Sequence, residues 1–229
     1  MAHPLDVMLR QYVAPVLKEA GYGKAGRTYR LAADNGDYAL FNAYTTENVA
    51  PTMLGFGARF VLAPRSIVAW HRRDSADPFA KPAGMENALV MVELIAPDEQ
   101  SFPMPYEQMF GNNWRFDLAD DGRACGEALR ADLVEVIPLI DRLLDRTALL
   151  EEIRHPSLRS IPQPDLDTPY PGVWTVVNIH PRASAEILLL LEDGPIQEVE
   201  RLLPASERDS PSGQFGDWVR EQLAQRSRV

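Results

Sequence analysis

The stretch from Pro4 to Thr45 constrains the fold more than any other part of the chain. Leu5, Met8, Leu9, Tyr12, Val13, Val16 and Leu17 recur at the spacing that lines one face of a helix. Pro4 suits the first helical position, where a missing N–H costs nothing, and Gly21 suits the left-handed residue past the end. Pro15 falls inside, removes a backbone donor and predicts a bend. Asn35-Gly36 then separates two strand-like runs and favours a type I′ turn, in which both central residues take positive φ. Such a turn pairs Asp34 with Asp37. It sets Tyr29, Leu31, Ala33, Tyr38, Leu40, Asn42 and Tyr44 on one face, and Thr28, Arg30, Ala32, Ala39, Phe41 and Ala43 on the other. The face with Tyr29 is expected to lie against the helix.

Further along, residues 52–63 alternate so that Leu54, Phe56, Ala58, Phe60 and Leu62 form one apolar face, which predicts a third strand. Gly55 and Gly57 within it point to a bulge or a close backbone approach. A short helix is expected at 66–73, after Pro64, and a loop at 74–87, with Pro78, Pro82 and Gly84. The apolar run 88–96 and the segment 113–118 read as further strands, the second a plausible last one. Short early links and no regular alternation with helices favour an antiparallel sheet.

From Gly126 the pattern turns helical: Leu129, Leu133, Val136, Ile137, Ile140, Leu143 and Leu144 form a stripe, with Pro138 as a kink. Pro156, Pro162, Pro164, Pro169 and Pro171 then make an extended connection that neither continues a helix nor joins a central strand. The expected organisation is an α+β domain at 1–154, a proline-rich connection at 155–172 and a mainly helical region at 173–229, packed on or beside the first. The domain's predominantly antiparallel sheet is covered by the N-terminal helix and a long helix near 126–153. Residues 173–179 fit a strand or a helix start. Helices are expected at 183–193, ending at Gly194, from Pro195 to Leu203, and in a last segment striped by Phe215, Trp218, Val219 and Leu223.

The run Leu17-Lys18-Glu19-Ala20-Gly21-Tyr22, then Arg27-Thr28-Tyr29-Arg30, then Phe41-Asn42-Ala43-Tyr44 resembles a bacterial family known as domain of unknown function 4304. The strand with Gly55 and Gly57, and the Trp114 strand before a long helix, also fit its layout, so the likeness covers roughly the first two thirds of the chain. Ala43 and Tyr44 stand where the family's glutamine or lysine is expected after the second-strand Asn, which marks an outlying member. The resemblance implies a fold and no established activity.

Charge and motif content exclude several chemistries. A formal net charge of -10 argues against a nucleic-acid binder, which needs clustered Lys and Arg, and against anionic membrane surfaces. It favours a basic protein partner. The single cysteine, Cys125, allows neither an intrachain disulfide nor a cysteine-based zinc site, and no signal-peptide pattern opens the chain. A reducing, cytoplasmic setting is therefore expected. Gly55-Phe56-Gly57 lacks the third glycine of a dinucleotide loop, because Phe60 stands there. His3, His71, His155 and His180 are scattered, so neither a metal nor a cofactor is expected.

Two groups of residues offer binding chemistry. Trp70, His71, Arg72 and Arg73 combine a ring that stacks, an imidazole that titrates near neutrality and two guanidiniums suited to carboxylate or phosphate. Phe102, Tyr106, Phe110 and Trp114 supply aromatic contact area in a segment that Pro97, Pro103 and Pro105 stiffen. No carboxylate pair stands out for acid–base work, so no catalytic residue is assigned. The reading is a non-catalytic protein-binding module, by analogy of the kind that neutralises a toxin. The alternative is a small-anion-binding enzyme or hydrolase built on Trp70 to Asp74. Monomer and homodimer are equally compatible with the sequence.

Overall fold

The computed structural model of the chain describes residues 3–45, 52–97, 101–102, 113–119, 121–157, 174–178, 180–209 and 213–228. The first helix is interrupted as Pro15 predicts. Helix α1 (Pro4–Met8) passes into a π-helical turn, Leu9–Val13, and then into α2 (Ala14–Glu19), with Pro15 in the first turn of α2. Wider π-helical pairing accommodates a residue that cannot donate. The helix ends as expected: Gly21 has φ +86°, its N–H donates to Lys18 O at 3.0 Å and that of Tyr22 to Leu17 O at 2.9 Å. These two bonds satisfy carbonyls left over in the last turn.

The following hairpin departs from its predicted register. Strand β1 (Gly23–Ala25) pairs with β2 (Thr28–Ala32), and β2 with β3 (Tyr38–Thr45), but Tyr29 faces Phe41 and Leu31 faces Ala39. Asp34, Asn35 and Gly36 form a three-residue loop in which only Gly36, at φ +82°, is left-handed, and Gly36 N–H donates to Ala33 O at 2.9 Å. Asn35 keeps an ordinary backbone and uses its side chain instead, accepting from Asp37 N–H at 3.0 Å. One extra loop residue moves the pairing by one position, so the predicted face assignment is wrong for β3. Tyr29 and Phe41 lie on the same face, with ring centroids 6.1 Å apart.

Strand β4 (Met53–Ala63) organises the sheet. One of its edges pairs with β3 from Phe56 to Ala63. Its other edge forks: Met53 to Phe56 pair with β7 (Asn113–Asp117), and Arg59 to Leu62 pair with β5 (Val90–Leu94). Strand β6 (Ser101–Phe102) pairs with β7. The strand-or-helix question at 173–179 resolves as β8 (Trp174–Asn178), which pairs with β5, so β7 is not the last strand. All these pairings are antiparallel. The fold is α+β, as the sequence predicts.

One sheet face carries the aromatic core of Tyr29, Phe41, Phe56, Phe60 and Trp114, all buried. Tyr22, just after α2, meets Phe60 edge to face at 6.0 Å. Helix α4 (Arg123–Leu143) packs against the N-terminal helix and against β4 and β7 through the predicted stripe, from Leu129 to Leu143. The opposite face holds buried Leu40 and Val61. It receives the loop at 74–87, whose Ala83 O accepts from Arg30 Nε at 3.0 Å. Helix α5 (Arg146–Arg154) follows α4, and α6 (Arg182–Leu190), α7 (Ile196–Asp209) and α8 (Gln214–Arg226) continue after β8. Helix α7 runs through Pro204, past its predicted end at Leu203. Among the described residues no helix is long and apolar enough to cross a membrane.

A buried clamp ties these parts together. Asp37, 3% exposed, accepts from Arg65 N–H at 2.7 Å and from Arg146 Nε and Nη2 at 2.7 and 2.6 Å. Arg146 also donates to Glu192, beyond α6, at 2.7 Å. Asp145 caps α5 by accepting from Ala148 N–H at 2.8 Å, which anchors the turn from which Arg146 projects.

Candidate functional site: an arginine-rimmed groove

Helix α3 (Arg65–His71) separates the residues of the predicted cluster by face. Arg72, just beyond it, is spent on the following loop: it donates to Pro78 O at 3.0 Å, Lys81 O at 2.6 Å, Pro82 O at 3.0 Å and Asn87 Oδ1 at 3.2 Å. Asn87 Oδ1 also accepts from Gly84 N–H, which turns the Asn87 amide N–H groups toward His71 Nδ1 at 3.3 Å. His71 Nδ1 is thereby an acceptor and the ring is neutral, a tautomer assigned from the hydrogen-bond network. His71 is exposed at the surface, and the partial desolvation of its ring holds its pKa below the ordinary value, with Arg73 and Arg72 acting in the same sense and Glu86 against them. His180 stands 5.8 Å from it, centroid to centroid, its Nε2 buried and without a partner among the described residues, and its pKa is lowered by burial and then by His71.

Trp70 and Arg73 face elsewhere. Trp70 packs on Phe215 and Trp218 of α8, at centroid distances of 5.1 and 5.3 Å. Arg73 lays its guanidinium 4.1 Å from the Trp70 ring and donates to Trp70 O and Gln214 Oε1. Arg65, at the other end of α3, stacks 4.3 Å from Phe79, and its guanidinium has no hydrogen-bond or ion-pair partner among the described residues. Between them opens a cavity of about 450 Å³ lined by Arg65, Ala69, Arg73, Pro78, Phe79, Glu192, Trp218 and Gln222. A second cavity, of about 330 Å³, shares Ala69, Glu192, Trp218 and Gln222 and continues past Ser66 and Leu191 to Gln225 and Arg226. Together they form a groove between α3 and α8. Its one carboxylate, Glu192, is already matched by Arg146 at 2.7 Å.

The aromatic segment is placed only in part. Trp114 is fully buried, stacks on Phe56 and donates its Nε1–H to Leu94 O at 3.1 Å across the fork in the sheet. Its polar atom is satisfied inside the core, so it presents no contact surface. Phe102 belongs to β6, with its side chain outside the described set, and Tyr106 and Phe110 lie outside the described residues.

Two carboxylates outside the predicted clusters are pushed far above the ordinary carboxylate range. Glu93, 4% exposed on β5, has its pKa pushed up to about 7 by burial, against the pull of Arg59 Nη1 at 3.5 Å. Arg59 Nε is buried without a partner among the described residues, and the guanidinium lies 4.6 Å from the Tyr44 ring, which crosses over Gly57. Asp132 of α4 is pushed up to about 7 by burial and by Glu135. A lone Glu in the apolar run 88–96 was the available signal for Glu93. The groove had a weaker one, because Arg65, Phe79 and Trp218 come from separate segments. Among the described residues no group of three or more His, Cys, Asp or Glu is arranged to hold a metal ion.

No protein-family model matches the chain, and neither a curated protein nor a solved structure does.

Proposed function

We propose that the chain is a non-catalytic binding module that engages a partner protein through the groove between α3 and α8. The observation that carries this reading is the pair of guanidiniums at the rim. Arg65 and Arg73 stack on Phe79 and Trp70, and neither is engaged by a carboxylate among the described residues. In a chain of net charge -10 acids outnumber bases, and Arg27, Arg72, Arg146, Arg154 and Arg220 each pair with at least one. Stacking orients a guanidinium at a gain of about 0.5–2 kcal/mol. The Arg65 fork is free for a carboxylate among the described residues, whereas Arg73 already donates to Trp70 O and Gln214 Oε1 and has only its remaining N–H groups to offer. Trp218 supplies the aromatic floor that anchors protein contacts. The overall acidity attracts basic partners at long range, and this groove is a local exception to it.

A hydrolase built on His71, Arg72 and Arg73 has less support. Asn87 occupies His71 Nδ1, and Arg72 is committed to three carbonyls and Asn87. The test is affinity capture with the full chain and with an Arg65→Glu/Arg73→Glu double variant. A stoichiometric partner recovered by the first and lost by the second is the expected result. Equal recovery by both removes the groove from the account, and no partner at any salt concentration counts against a binding module.

A further inference from the structure

We infer that the groove takes an extended, acidic segment of the partner's chain, with apolar side chains interspersed among its carboxylates. This rests on the reading of the groove as the recognition surface. Three observations specify the occupant. First, over a cavity of about 450 Å³ the rim offers the Arg65 fork, unpartnered among the described residues, and beside it the second positive charge of Arg73, which donates to Trp70 O and Gln214 Oε1. A planar fork binds carboxylate through two parallel hydrogen bonds. Second, Trp218 and the 43% exposed Phe79 line the same space, which calls for apolar groups beside the carboxylates. Third, the groove continues into the cavity of about 330 Å³, where Gln222 and Gln225 present amides without hydrogen-bond partners among the described residues. Such amides suit the backbone N–H and C=O groups of an extended chain.

Length separates this occupant from a small anion. From Trp218 to Gln225 the α8 floor rises roughly 10 Å, at 1.5 Å per helical residue, which matches about three residues of extended chain. A free carboxylate or phosphate fills only the rim. The net charge of -10 opposes a polyphosphate, whose binding depends on many neutralising cations. A short peptide with two or three carboxylates suffers far less of that repulsion.

The experiment titrates the full chain with three probes and follows tryptophan fluorescence, because Trp70 and Trp218 border the site. The probes are an acetylated, amidated pentapeptide of alternating Glu and Leu, its Lys and Leu counterpart, and free glutamate. The acidic peptide is expected to bind and the other two are not. In an Arg65→Ala/Arg73→Ala variant its affinity should drop by at least about tenfold, the equivalent of losing one charge-assisted contact. Should that variant misfold by circular dichroism, Gln222→Ala/Gln225→Ala replaces it, with several-fold weaker binding expected. Equal binding of the basic peptide, equal binding of glutamate, or indifference to the substitutions overturns the proposal. If no probe binds while partner capture still depends on Arg65 and Arg73, the acidic-segment proposal fails and the binding-module reading stands. If capture is indifferent to both arginines, the reading itself falls.

Discussion

The clamp under the hairpin and the groove beside α3 both rely on arginine and share a residue, Arg65, yet they use it in opposite ways. In the clamp, Arg65 contributes only its backbone N–H, and the guanidinium is that of Arg146, which is 14% exposed and donates to Asp37, Glu192 and Asp193. In the groove the Arg65 guanidinium rests on Phe79 with its N–H groups free among the described residues. A saturated, buried guanidinium holds elements in place. A stacked, unsaturated one keeps its hydrogen-bonding capacity for something else. Arg59 is intermediate: weak Nη1 contacts to Glu93 and to Met91 Sδ, each at 3.5 Å, a ring at 4.6 Å and a buried Nε without an acceptor among the described residues.

Breaking the clamp gives the largest loss of stability. Asp37→Ala leaves Arg146, largely buried, beside Glu192 and the exposed Asp193 and strips the acceptor from Arg65 N–H. Removing one partner of a buried pair costs about 3–5 kcal/mol. Urea denaturation should show that loss, and a cost below about 1 kcal/mol would place the clamp among ordinary surface pairs. Arg146→Met should cost no less than Asp37→Ala, because it leaves the Asp37 carboxylate, 3% exposed, buried without its cationic partner.

The Arg59–Glu93 pair predicts a pH effect of the next size. The Glu93 pKa rises from 4.5 to about 7 on folding, so between those values the folded state holds a proton that the unfolded state has released. Stability from this group is therefore present below pH 4.5 and is lost as pH rises to about 7. The full loss corresponds to about 3 kcal/mol at 1.36 kcal/mol per pH unit. Glu93→Gln removes that slope. The variant should gain stability over the parent at pH 8 and converge with it near pH 4.5, measured by denaturant midpoints across pH. His71 and His180 act on the acid side with the opposite sign. Their lowered pKa values mean that stability is lost as pH falls below the ordinary value of 6.5. A stability difference between the parent and Glu93→Gln that stays constant from pH 4.5 to 8 would refute the Glu93 assignment, since the histidines contribute equally to both.

The same contrast explains what was legible in the sequence. Periodicity predicts α4, β4 and the N-terminal helix because each is determined by its own residues: the stripe from Leu129 to Leu143, the even-numbered apolar face of β4, the Gly21 end. Hairpin register was not local in this sense. Asn35-Gly36 serves both a two-residue type I′ turn and a three-residue loop with one left-handed glycine. The choice goes with Asp37, whose carboxylate is held by Arg146, 109 residues away. The groove shows the same limit. Trp70 and Arg73 were singled out because they are neighbours in the chain, whereas Phe79, Trp218 and Gln222 reach them only through packing. His71 and Arg72, equally conspicuous in sequence, turn to the loop at 74–87 and hold it in place. Adjacent positions on a short helix point about 100° apart, so a four-residue run cannot all face one site.

The smallest expected effect is the one that separates the two kinds of arginine most cleanly. Arg65→Ala and Arg73→Ala remove exposed guanidiniums that contribute stacking and, for Arg73, hydrogen bonds to Trp70 O and Gln214 Oε1. Each should change stability by no more than about 0.5–1 kcal/mol, the scale of an exposed cation–π contact. Arg65→Ala should be the milder of the two, since its backbone N–H still reaches Asp37. Combining Arg65→Ala with Asp37→Ala should be additive within about 0.5 kcal/mol, because the side chain removed at position 65 is not the group that Asp37 holds. A coupling larger than 1 kcal/mol would mean that clamp and groove are one structural unit, and the rim arginines would then be accounted for by folding instead of recognition.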